Sequence, residues 1–433
     1  MLIYLIIYVI IMFLISYYTL GQDVFQPSCI VNASYVVSTL CAYIDKDIWN
    51  VQYHYYTFIV IASGLIVFYL TNLFIYIGSN KFVFQKRDNL DMHLINVNMA
   101  IFSVVIIGQL VSLLVYYKEV IRITGGGSSF YAMMNTFRMT VGYGDDYVSG
   151  AAGELEKFSF VCAEVFLFIF INNKIFDKQK RNKRYLLPAG IFIVQALLTG
   201  GRFDILIMVF TSMIMYNITW HRKYGWNRTI TFKTISRIVL VVCVIFAAFY
   251  LGRALVGRQS DSDIVTYISS YAGGSIPLLD MYLQDPPAHS DLLGKETFYT
   301  LLKNLKQIGL ISFPDYIVHL EFRSSNGFVI GNVYTAFRRQ IQDFGFSGMI
   351  ILQMIWSGIV SFWYKSMRYH PSDINIIFYT MMAYPVFFHS VNDYFYMNNV
   401  SIGYLITLAL TYVIYKITAR NEIINTEGEN ASE

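Results

Sequence analysis

Apolar stretches long enough to cross a bilayer recur along this chain, and that recurrence limits the fold more than any other feature. A helix needs about 20 apolar residues to span the hydrocarbon core. Eleven stretches are candidates: 2–20, 28–44, 55–77, 93–117, 156–175, 185–200, 203–220, 236–253, 345–364, 374–391 and 398–416. Only 14% of residues are charged, against roughly 25% in a typical soluble domain. Inside hydrocarbon each backbone polar group must be satisfied by its own segment or by a closed barrel, so long apolar stretches become helices. The expectation is an all-α, polytopic integral membrane protein of about 11 transmembrane helices, forming a single domain over residues 1–433. The four cysteines, Cys29, Cys41, Cys162 and Cys243, each sit inside an apolar run and form no CxxC, as small buried hydrophobes do. The first stretch begins at Leu2 with no basic residue before it and reads as a retained helix.

Orientation follows from Lys and Arg in the short loops, which favour the cytoplasm. One set of loops holds more than half of the 32 basic residues, among them Lys81, Lys86, Lys178, Arg184, Arg222, Lys223, Lys365, Arg368 and Lys416. With that set inside, the N-terminus lies outside and the C-terminus inside. The polar tail 421–433 then reads as a disordered cytoplasmic segment. The outer face carries the connections 45–54, 118–155 and 200–202, and one long loop, 254–344. Within that loop Phe298, Leu301, Leu302, Leu305 and Ile308 share one helical stripe, so an amphipathic helix is expected over 296–311. It would lie on the membrane or over the bundle. The formal net charge of +4 makes no case for a nucleic-acid partner.

The chemistry-bearing residues gather on this outer side. Gly331–Gly348 reads GNVYTAFRRQIQDFGFSG and closes the long loop. The arginines Arg202, Arg253, Arg258, Arg323, Arg338 and Arg339 all fall outside. A guanidinium forks onto phosphate oxygens and stays charged at any working pH, and an arginine in or near a span is a functional candidate by default. The plainer reading pairs these arginines with lipid headgroups or with Asp204, Asp261, Asp263 and Asp343. His289, His319 and His389 are candidate bases or structural histidines. There is no HExxH and no clustered Asp/His/Cys set, so no metal site is expected. Thr140–Asp145 spells TVGYGD, like a potassium-channel selectivity filter. Arg138 directly behind it argues against a cation site, and its glycines are expected to allow turns in a loop.

LLTGGRFDIL at 197–206 and GNVYTAFRRQIQDFGFSGMIIL at 331–352 resemble the O-antigen polymerase (Wzy) family, and TYISSYAGGSIPLLDMYL at 266–283 is similar to the start of that family's main external loop. The resemblance implies a GT-C-like glycosyltransferase of the bacterial plasma (inner) membrane with its active site facing outside. It would need no cofactor and no metal. It would transfer a growing glycan from undecaprenyl diphosphate onto another lipid-linked repeat unit, with membrane lipid around it and a chain-length regulator as a partner it leaves room for. On that basis Arg202, Arg253, Arg258, Arg338 and Arg339 are expected at the diphosphate. Arg202, Arg338, Asp343 and His319 are the expected catalytic set, with Asp343, His319 or His389 as base candidates. Asn332, Tyr334 and Arg323 are expected at the glycan. An O-antigen ligase, a lipid-linked oligosaccharide flippase or transporter, and a potassium-channel-like pore are the alternatives.

Overall fold

The computed structural model describes residues 1–78, 93–127, 129–143, 147–177, 182–200, 202–226, 247, 250–253, 263–288, 292–312 and 319–423. In chain order they form α1 (Leu2–Thr19), α2 (Pro27–Ile44), α3 (Lys46–Trp49), α4 (Tyr55–Ile77), β1 (His93–Asn96), α5 (Met99–Thr124), α6 (Phe130–Tyr143), α7 (Gly150–Phe176), α8 (Leu187–Leu198) and α9 (Phe203–Tyr224). Then come α10 (Ile264–Gly273), α11 (Ser275–Gln284), α12 (Tyr299–Gln307), β2 (Arg323–Ser325), β3 (Phe328–Gly331), α13 (Ala336–Met367), α14 (Asp373–Ala383), α15 (Ile402–Thr418) and β4 (Arg420–Ile423). This is an all-α protein with two small ladders, β1–β4 and β2–β3. Seven of the described helices, α1, α2, α4, α5, α7, α9 and α13, are long and apolar enough to cross a membrane.

Those helices carry apolar side chains on their outward faces as well as inward. Ile3, Ile7 and Ile11 stand exposed along α1, and Val104, Ile107, Val111 and Leu114 along α5. Such stripes would be a liability in water and suit a lipid environment. Inward, α4 packs along α13, with Phe68 edge-on to Trp356 at 6.1 Å and Ser357 Oγ donating to the Phe68 carbonyl at 2.6 Å.

Charged contacts sort the helix ends into two sets. At one end Lys365 donates to the carbonyls of Tyr76 (2.9 Å) and Gly78 (3.0 Å), and Lys223 to that of Ile175 (2.7 Å). A cation there satisfies carbonyls that a helix C-terminus leaves open. Asp373 is shared by Arg222 (2.5 Å), His93 (2.7 Å) and Tyr415 (2.5 Å). At the other end Asp45 accepts from Ser269 (2.7 Å), and Asp280 from the His54 backbone N–H (2.8 Å). Of the arginines singled out from the sequence, Arg202, Arg253, Arg323, Arg338 and Arg339 belong to this second set.

The expected spans need several corrections. The fourth does not begin at 93, because His93–Asn96 pairs with Arg420–Ile423, and Asn173 reaches both the N–H and the carbonyl of Ile95. The same ladder takes residues 421–423 out of the expected disordered tail. The sixth is the 12-residue α8. The tenth, 374–391, is α-helical only to Ala383, then turns through a 3₁₀ segment, Tyr384–Phe388, and a π-helical one, Phe395–Asn399. Most of the eighth, 236–253, lies outside the described residues. The described part of the TVGYGD stretch is not a loop, and Gly144 and Asp145 lie outside the described residues. Thr140–Tyr143 is the last turn of α6, so its backbone follows a helix and not the extended line of a filter.

Candidate functional site

The site begins with a bend. Gly345 inside α13 has φ +66° and ψ −173°, a region essentially closed to other residues. It separates a short head, 336–344, from the apolar span that follows. Three residues on, a Cβ at Gly348 would collide with the Cβ of Phe344. The two late glycines of the 331–348 stretch thus let the chain turn and close up, and the head carries Arg338, Arg339 and Asp343 across the end of the bundle.

Arg338 is 1% exposed. One arm of its fork meets Glu296, the other Glu321 at 2.7 Å, and its plane lies over Tyr282 (4.6 Å) and Tyr334 (5.4 Å). Burial pushes the Glu296 carboxyl up, and the nearby Arg338 and Arg339 offset only part of that. At Glu321 burial also pushes upward, but the charge of Arg338 and its hydrogen bonds win and hold the carboxyl below its ordinary value. Arg338 therefore clamps two parts of the long loop to the bundle.

Asp343 accepts the backbone N–H of Thr297 (2.6 Å) and of Glu296 (3.0 Å). It secures the same loop, with both bonds falling on Oδ2. Asp263, another expected arginine partner, instead caps α10 by accepting from Val265 and Thr266. Tyr334 is buried, with its hydroxyl on the Glu321 carbonyl (3.0 Å) and Arg323 Nε on that hydroxyl (3.2 Å). Arg323 also donates to the Met281 carbonyl at 3.1 Å. Both are internal ties of the loop, and Asn332 beside them is half-buried. His319 is exposed with its Nε2 near Gly142 of α6. Arg258 and His289 lie outside the described residues.

A second group forms at the α8–α9 turn, where Gly200 takes φ +71°. Arg202 occupies the N-cap position of α9 and donates to the Tyr267 hydroxyl at 2.8 Å. Arg253 lies over Tyr250 at 3.7 Å, and both Arg202 and Arg253 stand 5.9 Å from the Tyr267 ring centre. Sequence reasoning missed Arg138. The unforeseen helix α6 sets its side chain against Gly200, and its Nε is buried with no hydrogen-bond partner among the described residues.

The two groups are joined. Phe203, next to Arg202, stacks on Tyr394 at 4.2 Å, and Arg339 Nε reaches Asn392 at 3.4 Å. Tyr394 feels the charges of both Arg339 and Asp204. The irregular chain 384–399 thus runs between them. Non-helical backbone at this depth in a membrane protein is tolerated where protein buries it or where it lines a cavity, and broken helices recur at substrate sites. The amphipathic α12 lies over this region: Phe298 meets Tyr396 at 5.6 Å and Phe344 at 6.0 Å. Among the described residues no group of three His, Cys, Asp or Glu is placed to hold a metal. Glu296 and Glu321 were also missed, because nothing local in the sequence marks a carboxylate 42 or 17 residues from its arginine.

No protein-family model, curated protein or solved structure matches the chain.

Proposed function

We propose that this protein is a membrane glycosyltransferase that polymerises undecaprenyl-diphosphate-linked repeat units into O-antigen or a related surface polysaccharide. The arginine end would face the outside of a bacterial plasma membrane. The observation that carries the reading is the convergence of Arg202 and Arg253 on Tyr267, with Arg138 beside the same turn and Arg339 linked to it through Asn392 and Tyr394. In the transfer, an acceptor hydroxyl oxygen bonds to the anomeric carbon, the bond from that carbon to the lipid diphosphate breaks, and the hydroxyl proton passes to the departing diphosphate. The diphosphate leaves with the electron pair. Fixed guanidinium groups offset the charge that develops on it.

In this reading Arg202, Arg253, Arg339 and Arg138 meet the diphosphate, and Arg338 with Asp343 holds the loop that roofs the site. The motif resemblance at 197–206 and 331–352 supplies the substrate class. An O-antigen ligase would use the same donor. The helical Thr140–Tyr143 counts against a pore through that segment.

Reconstitution in liposomes with a lipid-linked repeat unit tests the reading. The expected product is a polymer ladder, absent in Arg202→Ala at equal protein yield. Transfer only to a lipid A-core acceptor would mean a ligase. No transfer by the native protein to either acceptor rejects the proposal.

A further inference from the structure

Five side chains, each 0% exposed, form a continuous hydrogen-bonded line through the core beneath the site. Tyr35 of α2 meets His389 Nδ1 at 3.2 Å, and His389 Nε2 meets Gln353 Oε1 at 2.8 Å. Gln353 Nε2 then meets Gln340 Oε1 at 2.8 Å, and Gln340 Nε2 meets Asp393 at 2.8 Å. Donor counting fixes the direction. An ionised carboxylate only accepts, so Gln340 must show it the amide N–H. Gln340 Oε1 then accepts from Gln353, which leaves Gln353 Oε1 to accept from His389 Nε2–H. His389 thus carries a proton on Nε2, and its Nδ1 faces the Tyr35 hydroxyl. From His389 onward every donor points towards Asp393.

The line crosses the bend at Gly345. Gln353 is on the span and Gln340 on the head, so their bond ties the two halves of α13 where the helix itself is interrupted. At its far end, Asp393 also accepts the Tyr396 N–H (2.9 Å), and its own N–H donates to Asn392 Oδ1 (2.9 Å). That same Asn392 oxygen receives Arg339. At the near end, the His389 carbonyl accepts the Ala336 N–H at the start of the head (3.0 Å), and its ring lies on Trp356 at 4.6 Å.

We propose that Tyr35, His389, Gln353, Gln340 and Asp393 are positioning residues: their line sets the angle of the 336–344 head and holds Arg339 against the 389–399 segment. Its catalytic consequence rests on the function proposed above. A displacement of about 1 Å at a charged positioning group can reduce turnover about 100-fold, and a buried, fully satisfied network has few other arrangements to fall into.

The test compares Gln353→Leu, which removes both of its bonds, with Gln353→Glu, which as the acid can still accept from His389 and donate to Gln340. The first measurement is amide exchange, which needs no substrate. Gln353→Leu should speed exchange in 336–344 and 389–399 by about tenfold or more, with α1 and α5 unchanged, and Gln353→Glu should restore protection. Unchanged exchange in those two segments overturns the proposal. Faster exchange throughout the chain also overturns it, as does failure of Gln353→Glu to rescue. The second is polymer formation in liposomes. Gln353→Leu should lower the rate about tenfold or more, and should add nothing in an Arg339→Ala background. Additive losses would show that the line does not act through Arg339. If the native protein makes no polymer, the functional reading fails alone, and the positioning device stands or falls on exchange.

Discussion

Replacing Arg338 with methionine is the sharpest test of how the loop is held. The arginine side chain is 1% exposed, that of Glu296 14% and that of Glu321 29%. Removing one partner of a buried ion pair costs about 3–5 kcal/mol, mostly because the remaining charge stays unpaired. Glu321 is nearly a third open and regains part of its hydration, which lowers the expected cost to about 2–4 kcal/mol. At 1.4 kcal/mol per factor of ten, the ratio of docked to undocked loop falls about 30- to 1,000-fold. The assay is amide exchange of the purified protein over 292–312 and 319–334, with α4 and α7 as internal references. Arg338→Met should lose protection in the loop by that factor and leave the references alone. Combining it with Glu296→Gln and Glu321→Gln removes all three charges and should restore most of the protection. Equal losses in the single and triple variants, or a loss shared by α4 and α7, would refute the clamp.

Gly345→Ala forces a side chain into φ +66°, ψ −173°. It should cost about 1–3 kcal/mol, seen as a lower melting temperature and faster exchange in 336–344. Tyr267→Phe deletes the hydroxyl that Arg202 holds at 2.8 Å. Hydrogen bonds to charged groups contribute about 1.5–3 kcal/mol, so the melting temperature should fall, and it should not fall further in an Arg202→Ala background. The loop clamp should also respond to pH. A carboxyl held below its ordinary value, as at Glu321, contributes stability that is complete above about pH 4.3 and is lost as pH falls through its folded value. Glu296, shifted upward, contributes below about pH 4.3 and loses that contribution as pH rises through its folded value. From Glu321, protection factors in 323–331, corrected for the intrinsic pH dependence of exchange, should fall as pH drops through its folded value, and Glu321→Gln should remove that fall.

Much of what could be read locally was read, although the helix α6 was not. Apolar content along about 20 residues is a property of the segment itself, so α1, α2, α4 and α9 match their expected bounds to within a few residues. The amphipathic stripe from Phe298 to Ile308 likewise became a helix, because its 3.6-residue spacing needs no distant partner. Segment readings failed where a remote contact outweighed local character. His93–Asn96 looked like the start of a span, yet a strand more than 320 residues away claims its backbone. The tenth stretch is apolar enough for a full helix, but it leaves the α-helix just before Pro385, which has no N–H to give, and the His389 carbonyl beyond it is taken by the Ala336 N–H at the head of α13.

The arginines show the same division more sharply. Their number and their place at the edges of the apolar stretches were legible, because membrane exclusion of charge is a one-dimensional rule. Their separate roles were not, since these depend on which group each fork meets. Arg338 and Arg339 are neighbours in sequence and point to different tasks. One sits between Glu296 and Glu321 of the long loop, and the other reaches Asn392 in the irregular segment. All three partners were polar residues with no special spacing, 42, 17 and 53 residues away. A motif of adjacent arginines can mark where a site is. Dividing the pair into a clamp on the long loop and a tie to the irregular segment requires the fold that brings those three partners to it, with the bend at Gly345 setting the head that carries both.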